Sequence, residues 1–152
     1  MAIVNSVATA GPGYGSGFLV SRTAIAVSSG SASAVPATGS LTIPIYRGKV
    51  RVKIYNGAGT SPTLTKVQIS ITDGTNTVIV EDRNFGTAVT LSSTNYYDGV
   101  FNFLVDYTTA GGGATGSLLG PSNSPAMVVN VTPTLGGTSP AATMDIEVYG
   151  EP

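Results

Sequence analysis

The stretch Lys49-Val-Arg-Val-Lys-Ile-Tyr55 carries the clearest structural signal in the sequence. Val50, Val52 and Ile54 alternate with charged and polar residues at every second position. A period of two belongs to a β-strand with one buried face and one exposed face. The stretch therefore predicts a strand whose inner face joins a hydrophobic core and whose outer face is basic.

The same alternation recurs along the chain, and no window shows the apolar spacing of an amphipathic helix. Further strands are predicted at residues 18–27, 40–45, 67–72, 87–91, 100–107, 126–131 and 143–149. Short strands separated by turn residues are typical of a sandwich or barrel. The sequence predicts an all-β fold, namely an antiparallel two-sheet sandwich of the jelly-roll type.

One hairpin is predicted in detail, because residues 67–72 run into Asp73-Gly74. Asp-Gly is a preferred pair in two-residue type I′ turns. Such a turn would set Thr72 opposite Thr75 and Lys66 opposite Glu81, which would form an attractive cross-strand pair.

The strand at residues 100–107 is predicted to lie in the middle of a sheet. Phe101 and Phe103 point to one face, while Val100 and Leu104 make the other face partly apolar as well. A strand with apolar residues on both faces is usually covered on both sides.

The domain organisation follows from the glycine-rich and serine-rich segments. Residues 1–17 are predicted to form a flexible N-terminal arm, and residues 18–152 a single β-sandwich domain. Long Gly/Ser/Thr-rich loops are predicted at residues 28–39, 108–125 and 133–142.

Several classes of chemistry are excluded by residues that the chain lacks, since it contains no cysteine, histidine or tryptophan. Disulfides, thiolate metal sites and a Ser-His-Asp triad are therefore impossible. Asp73, Glu81 and Asp82 are close in sequence but lack a calcium-loop pattern. We expect a protein that is not an enzyme and that has no cofactor and no metal site.

Charged residues make up 10% of the chain, against about 25% in an ordinary soluble domain. Four of the seven basic residues share one strand face, and Tyr55 continues it. The candidate partner-binding residues are Arg47, Lys49, Arg51, Lys53 and Tyr55.

Three interpretations of this basic face are open. The face could dock onto an acidic protein surface. It could instead be solvated, or be paired with Asp145 and Glu147 on a neighbouring strand. Nucleic-acid binding is the third, and the net charge of −1 and pI near 5.1 count against it.

Charge is also distributed unevenly along the sequence. All seven basic residues lie at or before Arg83, and five of the eight acidic residues follow it. If the two parts separate in space, head-to-tail association of copies is favoured. If their strands interleave in a sheet, the asymmetry disappears.

The chain resembles the capsid decoration, or cement, proteins of tailed phages. The resemblance rests on Gly11-Pro-Gly-Tyr-Gly-Ser-Gly17, on Thr108-Thr-Ala-Gly-Gly-Gly-Ala-Thr-Gly-Ser117, on the all-β alternation and on the missing Cys, His and Trp. It implies a structural virion protein, made in the host cytoplasm, that binds the outer surface of an assembled capsid.

The resemblance further implies that the partner is the major capsid protein and that the chain braces contacts between capsid subunits. It implies a homotrimer or another homo-oligomer, with nucleic acid an improbable partner and no membrane association. Two alternatives stay open. One is another virion component, such as a fibre or spike domain or a small coat protein; the other is a carbohydrate-binding or adhesion β domain.

Overall fold

Nine β-strands make up the regular structure in a computed structural model of the chain, which describes residues 7–9, 18–39, 47–57, 60–72, 77–104 and 128–151. The strands are β1 (Val7–Thr9), β2 (Phe18–Ser28), β3 (Ser33–Val35), β4 (Arg47–Tyr55), β5 (Thr63–Thr72), β6 (Thr77–Thr90), β7 (Tyr97–Leu104), β8 (Val128–Gly136) and β9 (Ala141–Glu151). Among the described residues there is no helix, and hence none that could span a bilayer.

The strands form two sheets in which neighbouring strands run antiparallel. The five-stranded sheet has the order β1-β2-β9-β4-β7, and the four-stranded sheet the order β3-β8-β5-β6. The prediction of an all-β antiparallel sandwich is confirmed. The jelly-roll assignment stays a prediction.

One hydrophobic core lies between the two sheets, because each central strand turns every second residue inward. In β4 the inward residues are those predicted, Val50, Val52 and Ile54, and all three are fully buried. The facing sheet contributes, among others, Leu64, Val67, Ile69, Ile71, Val129 and Val131. Burying each such side chain stabilises the fold by about 1.5–3 kcal/mol.

The predicted register of the β5–β6 hairpin is wrong by two residues. Thr72 lies opposite Thr77 rather than Thr75, so four residues separate the paired ends, and these lie outside the described part of the chain. A shift of two residues leaves every side chain on the same face, so the apolar pattern cannot detect it. Beyond a register irregularity, Lys66 lies opposite Asn84 instead of Glu81.

The predicted central position of residues 100–107 is also wrong. In the described residues, β7 is the last strand of the five-stranded sheet and pairs with β4 alone. Phe101 and Phe103 point into the core as expected, but Val100 is 54% exposed. An apolar residue on the outer face therefore did not signal a covered strand.

Two of the three predicted loops are shorter than expected. The segment at 28–39 contains β3, in which Val35 is fully buried, and β8 extends to Gly136, with Leu135 in the core. Threonine is common in strands, so a Thr-rich composition did not exclude one. The loop predicted at 108–125 and the strand predicted at 40–45 lie outside the described residues.

The predicted N-terminal arm contains one described element. Val7–Thr9 form β1, which pairs with the first residues of β2. The other residues of the arm lie outside the described part of the chain.

Candidate functional site

The candidate site is the outer face of the five-stranded sheet, centred on β4. Alternation along β4 puts all five predicted partner-binding residues on this face, with Arg47, Lys49 and Arg51 exposed and Lys53 and Tyr55 half-buried. The prediction that these residues share one face is confirmed. Their role in binding a partner stays a prediction.

Carboxylates on the two flanking strands interrupt this basic row. β4 lies between β9 and β7, so Arg51 is opposite Glu147, and Lys53 is opposite both Asp145 and Asp98. The acidic second part of the sequence is thus interleaved with the basic first part. On this face the charge asymmetry of the sequence disappears, which was one of the two expected outcomes.

Arg51 joins the three strands through two carboxylates of unequal geometry. Its Nε donates to Asp98 Oδ1 at 3.0 Å and its Nη2 to Asp98 Oδ2 at 2.8 Å, a two-point contact. Glu147 Oε2 lies 3.6 Å from Nη1, within ion-pair range but beyond an ordinary hydrogen bond. We call this group the Arg51 clasp: Arg51, Asp98 and Glu147.

The clasp shifts the acid–base properties of two of its members. The hydrogen bond from Arg51 holds the pKa of the Asp98 carboxyl below its usual value. The same hydrogen bond, followed by the charges of Asp98 and Glu147, raises the pKa of Arg51. Both groups are therefore ionised at neutral pH, and the two-point contact fixes the plane of the guanidinium.

Asp145 does not neutralise Lys53, although the two lie opposite each other. Its Oδ1 accepts a hydrogen bond from the backbone N–H of Ala24 at 2.8 Å and another from the Tyr55 hydroxyl at 3.3 Å. Burial, and then the Asp145 charge, raises the pKa of Tyr55. Asp145 thus stabilises the irregularity in β2. Among the described residues, no carboxylate forms an ion pair with Lys53.

Lys53 instead lies between two tyrosine rings. Its Nζ is 4.7 Å from the ring centroid of Tyr96 and 5.5 Å from that of Tyr55. Both distances are within the range of a cation–π interaction. Tyr96 is 48% exposed, so the lysine and an aromatic ring are presented together at the surface.

At the other end of the face lies a shallow, open depression. It is lined by Lys49, Arg51, Asp98, Val100, Glu147 and Tyr149. Val100 is 54% exposed and Tyr149 43% exposed, so its rim is partly apolar. Lys49 lies between Tyr149 on β9 and Asn102 on β7, and forms no ion pair with any described residue.

Sequence reasoning found the basic row but missed Asp98 and Tyr96. Asp98 precedes a glycine, and Asp-Gly is typical of turns, yet both residues pair with β4 inside β7. The glycine within this strand has a steric explanation, because a Cβ at Gly99 would overlap the hydroxyl of Tyr97. The alternation of Asp98, Val100 and Asn102 was the available signal for the outer face.

The described chemistry of the outer face consists of ion pairs and of a lysine beside aromatic rings. Among the described residues, no three acidic side chains come together to form a metal site. Of the acidic cluster considered in the sequence, Asp82 forms an ion pair with Lys66 at 2.8 Å, and Asp73 lies outside the described residues. The chain matches no protein-family model and no curated protein.

Proposed function

We propose that this chain is a structural virion protein that binds the outer surface of an assembled capsid and stabilises contacts between major capsid subunits. In this proposal the major capsid protein is the partner, and the chain acts as a homotrimer or another homo-oligomer. The family resemblance of the sequence supports the proposal, and so do the exposed aromatic, apolar and cationic side chains on the outer face of the five-stranded sheet.

The observation that carries the proposal is the composition of the outer face. Exposed Tyr96, Val100 and Tyr149 lie among lysine side chains that have no carboxylate partner in the described residues. Tyrosine and arginine are enriched in protein interfaces, and aromatic anchors supply much of their binding energy.

The scaffold beneath this face suits a passive brace. Val50, Val52 and Ile54 anchor β4 from below, and the Arg51 clasp ties it to both neighbours from above. A surface that is ordered before contact loses little conformational entropy on binding. The chain can therefore hold capsid subunits together without any moving part or titrating group.

The test uses particles assembled from the major capsid protein of the same genome and free of this chain. We expect the purified chain to cosediment saturably with these particles and to raise the temperature at which they open. Tyr149→Ala should weaken binding, while Ile79→Ala, on the other sheet and 55% exposed, serves as the control. Absence of cosedimentation with intact particles would overturn the proposal.

A further inference from the structure

The depression on the outer face is lined by the guanidinium of Arg51, which is hydrogen-bonded to a described carboxylate through Nε and Nη2. Asp98 takes two hydrogen bonds from Nε and Nη2 of Arg51. Among the described residues, the ion-pair partner of Nη1 is Glu147, whose Oε2 lies at 3.6 Å, beyond an ordinary hydrogen bond. A guanidinium offers five N–H donors, so donors near Nη1 remain open to a further acceptor.

A second donor lies beside this open side. Lys49 is two residues before Arg51 on the same face of β4, which places the two side chains next to each other along the strand. Both line the depression, and Lys49 has no ion pair among the described residues. Two cationic donors thus converge on one shallow space.

The rim of the depression defines what else a ligand would contact. Tyr149 on β9 lies opposite Lys49, Val100 on β7 lies opposite Arg51, and both are exposed. A ligand that puts an anionic group between Lys49 and Arg51 can cover these two side chains with apolar atoms. An acidic side chain with apolar neighbours on a protein partner has this combination.

The carboxylates around the site favour a single acidic side chain over a polyanion. Asp98 and Glu147 line the same depression as the two cations. A nucleic-acid backbone carries a phosphate at every nucleotide and is bound by surfaces with a net positive charge. Repeated phosphates would meet these carboxylates, whereas one carboxylate can be placed between Lys49 and Nη1 alone.

We propose that the depression receives one carboxylate of a partner protein, held by Lys49 Nζ and Arg51 Nη1, and that Glu147 is an internal competitor for Arg51. Asp98 is the positioning residue, because its two-point contact fixes the guanidinium. That the partner is a capsid subunit rests on the function proposed above; the carboxylate chemistry rests on the depression itself.

Because Glu147 competes with the ligand for Arg51, changing Glu147 and changing Lys49 should alter the affinity for the ligand in opposite directions. Removing its charge by Glu147→Gln frees Nη1 and removes a like charge from the path of the ligand, so binding should become tighter. Lys49→Ala removes a donor, so binding should become weaker. For exposed charges, each change should be about two- to fivefold in affinity.

The first experiment needs only the isolated chain. Amide chemical shifts of the ¹⁵N-labelled protein are followed during titration with N-acetyl-Leu-Glu-Leu-amide and, in parallel, with N-acetyl-Leu-Gln-Leu-amide. We expect shifts around Lys49, Arg51 and Tyr149 with the Glu peptide and much smaller ones with the Gln peptide. The same spectra report whether each variant is folded.

The matched control is Lys66→Ala, which removes the same charge from the other sheet, where Lys66 pairs with Asp82. It should leave binding of the Glu peptide unchanged. Equal shifts with both peptides, weaker binding by Glu147→Gln, or shifts only with a single-stranded DNA oligonucleotide would each overturn the inference.

The second experiment repeats the variants with capsid particles. Cosedimentation that weakens with Lys49→Ala and strengthens with Glu147→Gln supports both proposals. Wild-type cosedimentation that neither variant changes overturns the carboxylate site and leaves the proposed function standing. Selective binding of the Glu peptide without any capsid binding overturns the proposed function and leaves the carboxylate site standing.

Discussion

The carboxylate of Asp145 on β9 accepts a hydrogen bond from the backbone N–H of Ala24 on β2, across 2.8 Å. Ala24 has a φ of 55° and lies in the irregularity between Arg22 and Ile25. A left-handed conformation is unfavourable for alanine, so it needs support from its surroundings. Asp145 provides that support, so it is a structural residue on the same face of the sheet as the basic row.

Asp145→Ala should therefore destabilise the fold by about 1–3 kcal/mol, the usual cost of losing a hydrogen bond to a charged acceptor. Asp145→Asn keeps an oxygen acceptor and should cost less. Urea unfolding measures both, with Glu147→Ala on the same strand as the control, expected within about 0.5 kcal/mol of wild type. Equal losses for Asp145→Ala and Glu147→Ala would contradict the role assigned to Asp145.

Gly48 and Gly86 provide a second pair of variants. A Cβ at Gly48 would overlap the carbonyl oxygen of Tyr149 and come within 2.9 Å of the Phe103 ring, whereas one at Gly86 meets nothing within 4 Å. We expect Gly48→Ala to cost about 3 kcal/mol or more, because the β4–β9 pairing must open. Gly86→Ala should stay within about 0.5 kcal/mol of wild type. Thermal unfolding of both variants tests this, and a mild effect at Gly48 would mean that β4 and β9 are less tightly paired.

Ile54 and Ile79 are the same residue type at a buried and an exposed position, so the same substitution at both measures the effect of burial on stability. Ile54 is fully buried in β4, and Ile79 in β6 is 55% exposed. Ile54→Val removes one buried methylene and should cost about 0.5–1.5 kcal/mol, while Ile79→Val should change stability by less than about 0.5 kcal/mol. Denaturant midpoints at constant m-value provide the comparison. The reverse ranking would contradict the inward orientation of β4.

The contact between Arg51 and Asp98 predicts a pH dependence with a definite sign. The folded-state pKa of Asp98 is lowered, so the stability that this carboxylate contributes is present above its unfolded pKa of about 3.9 and is lost as the pH falls through the folded value. The stability advantage of wild type over Asp98→Asn should therefore shrink as the pH falls below about 5. Because both side chains are partly exposed, salt should also reduce it. A difference that stays constant over this range would show that the ion pair does not contribute.

The elements read most accurately from the sequence were those with a strict period of two. In β4 the alternation of Val50, Val52 and Ile54 with basic residues fixed both faces correctly. The β5–β6 register failed because a two-residue shift leaves the faces unchanged, so Thr72 pairs with Thr77 without any apolar residue moving outward.

The neighbours of β4 could be only partly anticipated. Asp145 and Glu147 were considered as charge partners, and they do lie on the adjacent strand. Asp98 was not, because the strand was predicted to begin only at residue 100, and the ring of Tyr97 that covers Gly99 is visible only in the fold. Strand order joins distant parts of the chain, and no local pattern encodes it.

The interleaving of β4 between two acidic strands has a consequence for how a partner is found. Opposite charges a few ångströms apart form short dipoles, whose field decays with distance faster than that of an isolated charge. Beyond about one Debye length, roughly 8 Å at physiological ionic strength, little of that field would remain to guide an approaching molecule. Association should then proceed at the ordinary rate of unsteered encounters, about 10⁵–10⁶ M⁻¹s⁻¹, and should change little with salt. The chain would distinguish its partner only after touching it, through the lifetime of the complex rather than through the speed of its formation.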